Sequence, residues 1–188
     1  MTAVASTPID ALRREHANMR SVLALVAHQL DRLESQGSAD YVLLANALYY
    51  MRKFPGHVHH PKEDLIFDKL EAADPSWKVE VEKLRAQHRE IYTLENELIE
   101  AALDCPRPLT EAASRLLERG RRYLQVQREH SEIEERLLFP QALAVLKARD
   151  WTEISGKIKE VNDPLFGIHG GDRYRLLYEH LMRESSAV

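Results

Sequence analysis

Each of four long amphipathic segments carries a histidine on the stripe that must turn inward, and two of them add a glutamate one turn further on. Stepping by three and four residues, as one face of a helix requires, the first stripe reads Ile9, Leu12, His16, Met19, Leu23, Val26, Leu30 and Leu33. The second reads Tyr41, Leu44, Leu48, Met51, Pro55, His59, Glu63, Ile66 and Leu70. The third reads Trp77, Val81, Leu84, His88, Ile91, Glu95, Leu98 and Ala102. The fourth reads Leu109, Ala113, Leu116, Gly120, Tyr123, Gln127, His130, Glu134 and Leu138. A buried carboxylate without counter-charge costs several kcal/mol, and two in one place repel each other. A chain with this pattern must bring positive charge into its own core.

The punctuation divides the segments. Thr7-Pro8 is a cap followed by proline in the first turn, and Gly37 closes the helix it opens. The second helix runs from about Asp40 to Ala72, kinked or loosened by Pro55 and Pro61. Asp74-Pro75 opens the third, which ends before Pro106, and the fourth begins near Leu109 or Thr110 and continues past Phe139. No stretch shows sustained period-two alternation. The fold expected is all-α: an up-down-up-down four-helix bundle with additional C-terminal helices. In that topology the starts of the first and third helices lie level with the ends of the second and fourth. At roughly 1.5 Å per residue, His16, His59, His88 and His130 then share one slab some 12–20 Å from one end. Independently placed histidines rarely agree in both face and depth.

Composition narrows the partners. A net charge of −4 gives no electrostatic reason to expect nucleic acid or an anionic membrane. No apolar run approaches spanning length and the N-terminus lacks a signal-peptide core, so a cytoplasmic chain is expected. With Cys105 as the single cysteine, neither an internal disulfide nor a thiolate cluster can form within one chain, and any metal must be held by nitrogen and oxygen. At 188 residues the chain is expected to be one domain, a bundle over about 8–148 with a helical appendix over about 149–185. The apolar content of that appendix suggests packing on the bundle or a homodimer contact.

His59 with Glu63, and His130 with Glu134, are i,i+4 pairs that point the same way from a helix. With His16 and His88 they offer imidazole and carboxylate donors that suit iron, manganese or zinc. Three further residues compete for these places: His60 and His57, because Pro61 disturbs the register, and Glu135 beside Glu134. Glu95 stands either at an edge in solvent or where a carboxylate could orient an imidazole. A ferritin-like centre would show Glu-x-x-His pairs, but Arg13, Gly56, Arg85 and Gln127 precede the four histidines by three. A zinc hydrolase of the His-Glu-x-x-His kind fails as well, since no histidine is followed directly by glutamate. The metal-free rival is a helical interaction protein.

"HHPKEDLIF" and "HSEIEERLLFP" resemble the paired histidine–carboxylate motifs of the hemerythrin-like (HHE cation-binding) family, and the resemblance spans roughly residues 8–142. It implies a non-haem centre of two iron ions bridged by solvent, with His16, His59, Glu63, His88, His130 and Glu134 as ligands. The function implied is reaction with, or sensing of, a small ligand (oxygen, peroxide or nitric oxide) in oxidative or nitrosative stress or iron handling. The alternative is a reversible oxygen-binding or storage protein. Oxygen carriers of the family present two histidines one turn apart on the third helix, and one turn after His88 stands Tyr92. A tyrosine there, near the metal slab, argues against the carrier and for a more open site. The resemblance names no catalytic residue.

Overall fold

The computed structural model describes residues 7–104, 111–167 and 174–185, and every regular element among them is helical. Helix α1 spans Pro8–Gln36. Its start is capped by Asp10, whose carboxylate accepts from the Thr7 amide at 2.8 Å. Its end is Gly37, at φ 68°, whose N–H donates to the Leu33 carbonyl. Only glycine takes that left-handed turn without strain. The second segment is interrupted: α2 (Tyr41–Phe54) passes through a π-helical turn (Pro55–His59) into α3 (His60–Ala73). Asp74 caps a 3-10 turn (Pro75–Trp77) that leads into α4 (Lys78–Leu103). The fourth segment repeats the interruption, with α5 (Glu111–Ile133), a π-helical turn (Glu134–Leu138) and α6 (Phe139–Val145). Leu109, Thr110 and Cys105 lie outside the described residues.

Each π turn ends one residue before a helix whose second residue is proline, Pro61 or Pro140. Proline lacks an N–H and crowds the carbonyl four residues back. Widening the preceding turn to an i→i+5 bond, from His60 to Pro55 and from Phe139 to Glu134, relieves that crowding. Such turns wind each residue through a smaller angle and so shift which side chains face inward.

Helix α1 packs against α2 and α5, and α4 packs against the same two. Helix α5 comes close to α1 at Gly120, where an added methyl would meet the Leu30 side chain. The apolar interior falls into two clusters. One is built around Met19, Val26, Leu48, Met51, Ile91, Leu98, Leu116 and Tyr123, the other around Ile9, Leu12, Ile66, Phe67, Leu84, Leu138 and Phe139. Between them along every segment lies the same polar layer: His16 follows Leu12, His59 and Glu63 precede Ile66, His88 follows Leu84, and His130 and Glu134 precede Leu138. The appendix closes over the outside. Helix α7 (Ala148–Lys157) touches α1 and α3, and α8 (Arg175–Ser185) touches α1 and α2. Asp163 ties the connecting loop down by accepting from Tyr50 Oη at 2.9 Å. Among the described residues no helix is long and apolar enough to cross a membrane.

Candidate metal centre

The polar layer converges on two carboxylates. Glu63 is fully buried, and its two oxygens face opposite ways. Oε1 lies 2.7 Å from His59 Nε2 and 3.4 Å from His16 Nε2, whereas Oε2 lies 3.4 Å from His88 Nε2 and 4.0 Å from His130 Nε2. Glu134, equally buried, does the same from the other side: Oε2 is 3.4 Å from His16 Nε2 and Oε1 is 3.3 Å from His130 Nε2. The Nε2 atoms of His88 and His130 approach to 3.1 Å. His60 joins this half, its ring stacked on that of His88 at 4.1 Å between centroids. Two groups result, His16, His59 and Glu63 on one side and His60, Glu63, His88 and His130 on the other.

Apart from the His88–His130 approach, these contacts are close without being hydrogen bonds. Both oxygens of Glu63, both of Glu134, and Nε2 of His16, His59 and His60 are buried with no hydrogen-bond partner. Seven orphaned polar atoms in one layer would be expensive for a folded chain. Donor atoms roughly 3 Å apart are what neighbouring positions of an octahedral cation with bonds of about 2.1 Å require. Close approach without alignment is the arrangement of groups aimed at a third atom.

The outward ring nitrogens are held in turn. His59 Nδ1 donates to Glu15 Oε2 at 2.7 Å, and His16 Nδ1 donates to Glu135 Oε1 at 2.9 Å. His130 Nδ1 faces Gln87 Oε1 at 3.3 Å and His88 Nδ1 faces Asp64 at 3.7 Å. An acceptor at Nδ1 keeps the proton there and leaves the Nε2 lone pair for a metal. Lys62 and His59 hold the Glu15 carboxyl below its usual range despite its burial.

Residues 7–142 match the family of the hemerythrin HHE cation binding domain. The chain belongs to that family. No curated protein and no solved structure matches it. For a hemerythrin-like cation-binding domain the buried layer has a chemical purpose, since a cation satisfies the lone pairs and neutralises the two carboxylates together.

Several expectations need correction. His59 and His60 stood as alternatives, but the π turn carries both into the layer, where both are buried. His57 is exposed and outside it. Glu134 is in the layer; Glu135 lies behind His16, where it also pairs with Arg20. Glu95 is buried rather than at an edge, yet it orients none of these histidines: its partner is Tyr123. Tyr92 does not face the centre. It is 46% exposed, with the Arg52 guanidinium over its ring. His88 sits at the margin of the buried face of α4, so one turn further on, drifting the same way, falls outside it. His60, from another segment, is the additional imidazole beside His88. Sequence reasoning missed Glu15 and Gln87 as well. Each directly precedes a histidine of the layer, His16 or His88, and each holds a histidine of a different segment. His60→Ala is therefore expected to lower metal affinity by about 10-fold or more, and Tyr92→His to leave it unchanged, by titration with a competing chelator. A gain of affinity in Tyr92→His would contradict this placement.

The layer carries protons when no cation occupies it. Burial pulls His16 down, but Glu134 and Glu63 outweigh it and raise it to about 10. Burial is likewise overcome at His88, which Asp64 and Glu63 raise to about 9. His60 goes the other way: burial, reinforced by the neighbouring His88, holds it well below its ordinary value. Burial raises and the surrounding imidazoles lower Glu63, and the imidazoles win by a wide margin.

Proposed function

We propose that the chain is an up-down-up-down bundle holding two iron ions, bridged by Glu63 and Glu134, and that it reacts with a dioxygen- or peroxide-class ligand. The observation that carries this reading is the double approach of the carboxylates, each presenting one oxygen to each group of histidines. Ligands of the first ion would be His16 and His59 with Glu63 Oε1 and Glu134 Oε2. The second would take His60, His88 and His130 with the other two oxygens. Five imidazoles and two carboxylates would offer fewer donors than two six-coordinate ions take, leaving room for an external ligand. Iron bound there would supply the redox couple for that ligand. The protein's own part is to fix the donors through Glu15, Glu135 and Gln87 and to keep bulk water from the layer. Glu135 and Gln127 also line a groove of about 480 Å³ between α1 and α5, on the side of His16.

Reversible oxygen binding is a second reading, favoured by one observation. His60 stacked on His88 supplies the fifth imidazole that Tyr92 does not. Anaerobic loading with ferrous iron, followed by azide, peroxide, nitric oxide or oxygen, tests both. The expected result is a ligand-dependent absorption change that saturates at one small ligand per two irons. An oxygen spectrum that reverses when oxygen is removed selects the carrier; irreversible conversion to the ferric spectrum selects peroxide or oxidative chemistry. Loaded protein whose spectrum ignores every ligand would overturn the assignment.

A further inference from the structure

A second buried polar group lies in the apolar cluster next to the centre, and the metal layer does not explain it. Tyr123 on α5, fully buried, donates its phenolic hydrogen to Glu95 Oε1 on α4 at 3.0 Å. Glu95 is 1% exposed. Gln127, also fully buried, donates its amide N–H to the Tyr123 oxygen at 3.2 Å and keeps its own Oε1 without a partner. Gln127 stands one turn before His130 and lines the groove beside the layer. Tyr123 is two turns before His130, roughly 10 Å along the helix axis.

Such a group costs stability. Burial raises Glu95 to about 8, even though Tyr123 and Arg52 oppose the shift. Burial and Glu95 push the Tyr123 phenol well above its ordinary range. Apolar residues of similar volume in place of a buried polar set are commonly neutral or stabilising, so packing alone gives no reason for a tyrosine–glutamate pair here. Perturbed pairs of this kind concentrate where protons or electrons move. A phenol is hard to oxidise unless a base removes its proton at the same moment. Glu95 lies within proton-transfer distance, and above about pH 8 it is ionised and, in its apolar surroundings, a strong base.

We propose that Tyr123 is an internal one-electron donor to the metal centre, with Glu95 as the base that takes its phenolic proton. This rests on the reading of the centre as redox iron. Reduction of hydrogen peroxide to two waters takes two electrons and two protons. A centre with a single remaining ferrous ion holds only one of those electrons, and delivering it alone would release hydroxyl radical. Tyr123 supplies the other. Its O–H bond breaks, the electron completes the reduction of the peroxide, and the proton crosses to the Glu95 carboxylate, where a new O–H bond forms. The two protons consumed in making water come from solvent. The products are ferric iron, two waters, a neutral Glu95 carboxyl and a Tyr123 phenoxyl radical. Gln127 hydrogen-bonds the phenolic oxygen throughout.

The test uses the full chain, loaded anaerobically with ferrous iron, freed of excess metal, oxidised by half with ferricyanide and brought to about pH 9, where Glu95 is ionised. Hydrogen peroxide is then added, and samples are frozen for electron paramagnetic resonance. A tyrosyl radical is expected in the wild type and lost in Tyr123→Phe, with more hydroxyl radical caught by a spin trap in that variant. Glu95→Gln, which keeps the hydrogen-bond acceptor but cannot take the proton, is expected to lose the radical while retaining its iron. Circular dichroism and iron content check that both variants fold and load. Absence of a radical in wild type that loads iron and consumes peroxide overturns the assignment, as does an undiminished radical in either variant. Failure of the wild type to load iron overturns the metal reading itself, so the two failures are told apart in the same samples.

Discussion

Glu63→Gln is expected to empty both halves of the metal centre at once, lowering affinity by more than the roughly 10- to 100-fold that loss of an outer hydrogen bond costs a metal site. Glu63 belongs to both groups of donors and approaches four histidines, whereas Glu134 approaches two. A glutamine keeps the shape but offers one carbonyl oxygen and an amide that cannot ligate, and it removes a charge that offsets two cations. Loss at one half alone would mean that the carboxylate does not bridge. Glu134→Gln, which touches only His16 and His130, is expected to weaken both halves less severely. Competition with a chromogenic chelator reads both variants, with circular dichroism to check that each is folded. Glu63→Gln that still binds at wild-type affinity would contradict the geometry described above.

Apo and metal-loaded protein are expected to respond to pH in opposite directions. Without metal, the raised His16 and His88 are cations facing Glu63 and Glu134. A group whose pKa is raised on folding stabilises fully below its unfolded value, near 6.5, and loses that contribution as pH rises through its folded value. For His88 and His16 the loss runs between pH 6.5 and about 9 or 10. The depressed Glu63 acts on the other side: its contribution is present above about 4.5 and lost as pH falls towards its lower folded value. The apo protein is therefore expected to be most stable between about pH 4.5 and 6.5. Metal binding instead requires neutral imidazoles, so loading releases the protons of His16 and His88 and grows more favourable as pH rises. One pKa unit is about 1.4 kcal/mol, and about 1 kcal/mol moves the melting temperature of a chain this size by roughly 2–4 °C. The histidines share the same two carboxylates, so their contributions do not add. A fall of several degrees in apo Tm between pH 6.5 and 10, with no fall in the loaded protein, is expected from thermal melts. Parallel pH curves would show that the layer holds no such charge.

The helix ends and stripes were legible because they depend on local chemistry. Thr7-Pro8, Gly37 and Asp74-Pro75 act within a turn of themselves, and the apolar periodicity located His16, His88, His130 and both glutamates on buried or half-buried faces. The centre's detail depends on departures from ideal α geometry. In an α-helix His59 and His60 point about 100° apart, so a periodic reading must choose between them. The π turn removes the choice, and its cause, Pro61, was visible as a kink but not as a change of pitch. Tyr92 shows the converse error. A one-turn step assumes that its starting residue is centred on the buried face, and His88 is not. Glu15 and Gln87 were out of reach because their partners lie on other segments, at distances set by packing that no local pattern encodes.

The most direct measurement is native mass spectrometry of the full chain, loaded anaerobically with ferrous iron and freed of excess metal. Two ions per chain, taken up together, with the singly loaded form scarce throughout the titration, is the expected result. One ion per chain at saturation, or none, would contradict a centre built on two bridging carboxylates.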